Sequence, residues 1–239
     1  MTKYKNDRRI KRQQEQRRKT LIAVLVIAVV MVLIIALPSL INKAQPVGDI
    51  VQITPVARPL ADGRTMGSPD APVKIDVYED FQCSACANYT FEIEKQIIEE
   101  LIPTGQVYYV FHQYPFLDDR STQKESDQAA NASMCALEQG RFWDYHDMLY
   151  ANQSGENLTG FSDKRLVAFA ETLGLDVKAF EDCFDENRYQ ADIDKDLAEG
   201  AALGVTGTPS VFVNGTAVMP GYVPSYESIK AAVDEALGN

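Results

Sequence analysis

Two cysteines, Cys83 and Cys86, stand three positions apart in the stretch "FQCSACANY", residues 81–89. A dithiol at this spacing can hold a metal, close a staple, or exchange disulfides. A zinc or iron–sulfur centre needs further ligands, and a second close cysteine pair is its strong mark. The other cysteines, Cys135 and Cys183, lie far apart from each other, and the two histidines are His112 and His146. A structural disulfide between Cys83 and Cys86 would close a very small ring, which removes little entropy from the unfolded chain. Exchange chemistry asks for a thiolate that attacks and a second thiol close enough to resolve the mixed disulfide.

The flanking elements suit that chemistry. In "VKIDVY", Val73, Ile75 and Val77 alternate with polar positions, which predicts a strand. Beyond the cysteines, Tyr89, Ile93, Ile97 and Leu101 recur at every fourth position, with Ile98 and Ile102 beside them. That spacing predicts an amphipathic helix ended by Pro103 and Gly105. Cys83 therefore falls at a helix N-terminus, where unpaired backbone N–H groups and the helix dipole favour a negative charge. Cys83 is expected to be the exposed nucleophile and Cys86, one turn on, the buried resolving thiol.

Further along, "VYYVF" (residues 107–111) reads as a buried strand, followed by a helical stretch from about 121 to 203, interrupted at Gly140, Gly155 and Gly174. His146 falls in that stretch and is assigned no catalysis; Phe142, Trp143 and Tyr145 read as packing residues. "TPSVFVNGTAVM" predicts two short strands around the Asn214–Gly215 turn. A last helix begins at Ser225 as N-cap and buries Tyr226, Ile229, Val233 and Leu237.

The N-terminal region sets the compartment. Residues 1–20 carry nine basic and two acidic side chains, a net of +7, and residues 21–41 are apolar without a charge. A helix of that length spans roughly 30 Å, the thickness of a bilayer core. The run is longer than the apolar core of a signal peptide, and no small-x-small cleavage pattern follows it. We expect a cytoplasmic tail at 1–20, a transmembrane helix at 21–41, a proline-broken linker at 42–68 and an extracytoplasmic domain at 69–239. Beyond the tail, 14 basic side chains face 32 acidic ones, a net of −18, which argues against nucleic-acid binding. All four cysteines fall in the exported part, where an oxidising compartment lets disulfides persist.

Three segments, in order and spacing, resemble the thioredoxin-like disulfide oxidoreductases of the DsbA type, including membrane-anchored bacterial members. "GSPDAPVKIDVYEDFQCSAC" is similar to their entry strand and active site, "AANASMCALEQGRFWDYHDMLYANQ" to their inserted helical region, and "GVTGTPSVFVNG" to the loop bearing their cis-proline. The resemblance covers about Thr65 to Leu237. It implies an α/β thioredoxin-like fold with a helical insertion, and a cis Thr208–Pro209 bond facing the cysteines. In the family the residue before that proline, here Thr208, pairs its backbone with an extended substrate.

Two departures stand out. Many relatives carry an acid six positions before the first cysteine, where it assists proton transfer to the buried thiol; this chain has Val77 there, and the nearer Glu79 and Asp80 read either as standing in for that acid or as solvated loop residues. Strongly oxidising members have Pro–His between the cysteines, where this chain has Ser84–Ala85. Cys135 and Cys183 are read as a structural disulfide, as in some relatives, against the alternative of two buried free thiols.

The expected activity is thiol–disulfide exchange in exported cysteine-containing proteins, in the oxidising direction, with an unidentified membrane redox partner for recycling. No metal or organic cofactor is implied, because the electrons stay on sulfur. The alternatives are an extracytoplasmic reductase or isomerase, a dithiol Cu(I) metallochaperone, and a non-enzymatic binding module.

Overall fold

A computed structural model of the protein describes residues 47–120, 124–156 and 160–239, together with scattered positions between 17 and 32. Most of the basic tail, much of the expected span at 21–41 and the start of the expected linker lie outside the described residues. Those described within the span, such as Leu21, Leu25 and Val32, are helical and exposed. Among the described residues no helix is long and apolar enough to cross a membrane.

From Gly48 onward the chain forms one unit around a five-stranded sheet. The strands are β1 (Thr65–Gly67), β2 (Val73–Glu79), β3 (Val107–Gln113), β4 (Ser210–Val213) and β5 (Thr216–Val218), in spatial order β1-β3-β2-β4-β5. β2 and β3 run parallel, with Val73 opposite Val107 and Glu79 opposite Gln113. The other three pairings are antiparallel. The expected alternation in β2 holds: Val73, Ile75 and Val77 are fully buried in the main core. Burying each such side chain stabilises the fold by about 1.5–3 kcal/mol. On the other face Tyr78 packs with Tyr114, Val205 and Phe212 in a second cluster.

After β2 the chain turns into α1 (Ser84–Asn88). The helix continues in wider π-wound turns at Tyr89–Glu94 and Ile97–Leu101, then ends in a tight turn, Ile102–Thr104, capped by Gly105 at φ 73°. Apolar spacing at i+4 does not distinguish ordinary helical winding from this wider one, so only the buried face was legible. Among the described residues five helices form the insertion: α2 (Glu125–Leu137), α3 (Phe142–Ala151), α4 (Asp163–Thr172), α5 (Val177–Asp185) and α6 (Gln190–Ala202). Its expected first residue, 121, lies outside the described residues. Cys135 on α2 and Cys183 on α5 are joined by a disulfide, with Cα atoms 5.8 Å apart. Asn214 and Gly215 adopt φ of 47° and 79°, as the β4–β5 turn requires. α7 (Tyr226–Ala236) is capped by Ser225, whose Oγ accepts the Ser228 N–H at 3.3 Å.

The expected linker boundary at 68 is too late. Residues from about 48 pack on the domain. Asn152 bonds the Val51 backbone through both its amide atoms. Arg58 is buried between Glu94, at 2.9 Å, and Asp147, at 2.7 Å, and lies 4.6 Å over the Trp143 ring. β1 then joins the sheet beside β3. The prolines break helices but do not keep this strap off the core.

Candidate active site

The β2–α1 junction places both cysteines. Asp80 organises the turn. Its Oδ1 accepts the Gln82 N–H at 2.8 Å and the Ser126 hydroxyl at 2.7 Å, and its Oδ2 accepts the Leu117 N–H at 3.1 Å. Burial pushes the Asp80 carboxyl up to about 7 against these bonds. From the far side Gln153 donates its amide to the carbonyls of Phe81, at 2.6 Å, and Cys83, at 3.0 Å. The loop is thus clamped between the sheet and the helical insertion.

Cys83 is the N-cap residue of α1, with extended backbone angles, and its carbonyl accepts the first helical N–H groups, from Cys86 and Ala87. Both cysteines are free thiols. Cys83 keeps 9% of its surface and Cys86 none. The expected order of access is present, although Cys83 is better shielded than an exposed nucleophile. The Cys83 pKa falls to about 6. The hydrogen bond from the Cys86 thiol is the largest cause; burial opposes it, and Thr208 and the backbone N–H groups of Cys86 and Ala85 add to it. Cys86 moves the other way, well above an ordinary thiol, chiefly through burial.

Opposite the pair, the Thr208–Pro209 peptide is cis. The Cys83 thiol donates to the Thr208 carbonyl at 3.3 Å. Beside this loop runs an open groove of about 350 Å³ between residues 203–212 and 217–223, with Met219, Tyr222 and Val223 exposed along it. The structure therefore brings Cys83, Cys86, Thr208 and Pro209 together and leaves Cys135–Cys183 apart in the insertion.

Glu79 is fully buried, which overturns its reading as a solvated loop residue; Asp80 is buried as well. Glu79 ends β2, so its side chain points inward with Ile75 and Val77. Its Oε2 accepts the Tyr150 hydroxyl at 3.0 Å, and its carboxyl lies beside the Cys86 thiol. Burial, reinforced by Glu94, holds Glu79 well above the usual carboxylate range. Tyr150 and Gln153 were missed in the sequence. Their signal is His146 and Tyr150 at i+4 spacing on α3, with Gln153 just beyond its C-terminus, which brings that end of the helix to the site.

The thioredoxin family model matches residues 60–235. The chain belongs to that family. A probable disulfide bond formation protein D from Bacillus cereus is 29% identical over 178 residues, which cover 73% of this chain and 78% of the relative. Reduced DsbA from Mycobacterium tuberculosis superposes with a TM-score of 0.58 and 25% identity, over 75% of this chain and 94% of that one. Oxidised BdbD from Bacillus subtilis, at 22% identity and a TM-score of 0.65, shares the fold over 80% of this chain and all of its own. Within the thioredoxin family this chain is a DsbA-type thiol:disulfide oxidoreductase.

Proposed function

We propose that the protein is a membrane-tethered oxidase of exported proteins that works through Cys83 and Cys86. The lowered Cys83 pKa beside a fully buried Cys86 is the observation that carries this reading. Stabilising one thiolate favours the reduced enzyme, which makes the disulfide form an oxidant.

In the forward reaction a substrate thiolate attacks the Cys83 sulfur of the enzyme disulfide. The Cys83–Cys86 bond breaks, its electron pair goes to Cys86, and Cys86 takes up a proton. A second substrate thiolate then attacks the mixed disulfide and expels Cys83 as the stabilised thiolate. Recycling runs through an acceptor disulfide supplied at the membrane. Cys83 attacks it, then Cys86 loses its proton, bonds to Cys83 and releases the reduced acceptor. Glu79 is the group placed to exchange that proton with Cys86. An extended substrate segment lies against the Thr208–Pro209 backbone, where main-chain bonds accept many sequences.

The basic tail at 1–20 and the apolar run at 21–41 support a topology with the tail in the cytoplasm and the domain outside. Protease added to spheroplasts then digests the domain and spares the tail. The enzymatic reading is tested by mixing the oxidised protein with a reduced, unfolded protein that has one native disulfide. Stoichiometric disulfide formation supports it. Failure to oxidise that protein, with efficient reduction of its disulfide form, contradicts it.

A further inference from the structure

Behind Cys86 lies a group of buried titratable side chains that the exchange reaction as described does not use. One oxygen each from Glu79 and Glu94 and a ring nitrogen of His146 lie within 4.8 Å of one another, and all three residues are fully buried. Several polar atoms here have no hydrogen-bond partner, among them Oε1 of Glu79, Nε2 of His146, the Tyr89 hydroxyl and Nε of Arg58. Leaving buried polar atoms unsatisfied is costly, so such a group calls for an explanation.

Two of these, Glu79 Oε1 and His146 Nε2, are chemically matched. His146 Nδ1 lies 2.9 Å from Asp147 Oδ1 and donates to it, which leaves Nε2 with a free lone pair. Burial raises Glu79 well above the usual carboxylate range, which favours its neutral acid form. Its Oε2 already accepts the Tyr150 hydroxyl, so the acid proton belongs on Oε1. A donor and an acceptor thus share one buried cluster, and neither has a hydrogen-bond partner.

Arg58, from the strap, offsets only one of the carboxylates Glu94 and Asp147. Tyr109 donates to Glu94 at 3.1 Å, and the hydroxyl of Tyr89 is also buried close by. Glu94 Oε2 is 4.0 Å from His146 Nε2. An imidazolium here would sit between two carboxylates. A divalent metal is the rival occupant, but Arg58 and the Tyr109 hydroxyl already hold Glu94, and Tyr150 holds Glu79.

Resting on the reading of Glu79 given above, we propose that His146 is the second station of a proton relay serving Cys86, with Arg58 and Asp147 as positioning residues. During recycling Cys86 gives its proton to the Glu79 carboxyl, and the Oε1 proton of Glu79 moves to His146 Nε2. The Cys86 sulfur bonds to Cys83, the Cys83–acceptor bond breaks, and its electron pair leaves on the acceptor sulfur. Glu79 stays neutral throughout. During substrate oxidation the same protons run back, and Cys86 leaves as a thiol rather than a buried thiolate. Arg58 ties this relay to the segment that joins the domain to the N-terminal region.

The test uses the full-length reduced protein with glutathione disulfide as probe, separating attack by Cys83 from release of glutathione by Cys86. Glu79→Gln should slow the second step roughly a hundredfold, and His146→Gln at least about tenfold, within the range of acid–base effects. Attack by Cys83 should stay within about twofold, and the double variant should be no slower than Glu79→Gln, because the two act as a unit. The wild-type second step should show a solvent deuterium isotope effect that shrinks in His146→Gln. If His146→Gln leaves the second step and its isotope effect unchanged while Glu79→Gln slows it, the relay is overturned and the Glu79 reading stands. If Glu79→Gln has no effect either, both fall. The chain has only two histidines, so nitrogen NMR of the labelled wild-type protein gives a check that needs no variant. His146 should carry its proton on Nδ1 alone in the reduced state; a proton on Nε2 overturns the relay. So does stoichiometric zinc binding by the wild type that is lost in His146→Gln.

Discussion

The Cys83 sulfur lies 3.3 Å from the carbonyl oxygen of Thr208, a residue 125 positions away in the chain. That contact joins the start of α1 to the loop before β4. A thiol donates to this carbonyl. A thiolate cannot, and must turn to the N–H groups of α1 and the Cys86 thiol. Ionising Cys83 therefore frees the Thr208 backbone at the moment the sulfur becomes reactive.

The two cysteines should behave asymmetrically. Cys86→Ala should accumulate mixed disulfides through Cys83, because no thiol remains to resolve them. Cys83→Ala should form them at least about a hundredfold more slowly, since its remaining thiol is fully buried and its pKa raised. Non-reducing gels and mass spectrometry of trapped partners decide this. Trapping through Cys86 would reverse the assignment.

The reduced form should gain stability relative to the disulfide form as pH rises from about 6 toward 9. The sign follows from the lowered Cys83 pKa: its contribution is fully present above the ordinary thiol value and lost as pH falls through about 6. Thermal melts of both forms across that window measure it. Alkylation of Cys83 should likewise reach half its maximal rate near pH 6. A pH-independent gap between the two melting temperatures would contradict the prediction.

The Cys135–Cys183 bond closes a loop of 48 positions within the insertion. In the chain-entropy model this is worth about 4 kcal/mol. The double alanine variant should unfold at lower denaturant concentration by about that amount while keeping its exchange rate per folded molecule. A loss of exchange in the folded variant would give this bond a role that the geometry does not.

Much of this site could be read before folding was considered. The β2 alternation, the helix entry at Cys83, the Asn214–Gly215 turn and the Ser225 cap are local, and local sequence carries them. Glu79 was legible in principle: once β2 extends through it, the period of two puts it inward with Ile75 and Val77. Its position beside an acidic neighbour and a turn disguised it as a loop residue. Arg58 was not legible. It sits in an aperiodic stretch between two prolines, and its partners Glu94 and Asp147 are 36 and 89 positions away. Only the folded chain brings those charges together.

Arg58→Met should destabilise the domain by about 3–5 kcal/mol, because it leaves buried Glu94 and Asp147 without their counter-ion. Denaturant melts of the variant measure the loss. If stability changes by less than about 1 kcal/mol, the strap from residue 48 onward contributes nothing of consequence to the fold.

The reduction potential of the Cys83–Cys86 couple, measured against glutathione, tests the central claim most directly. Thiolate stabilisation at Cys83 predicts an oxidising couple, well above the value of about −270 mV typical of thioredoxin. Without a histidine between the cysteines, it should also stay below the roughly −120 mV of the strongest oxidants. A potential as low as that of thioredoxin would contradict the oxidase reading and make the protein a reductase fed by a membrane donor.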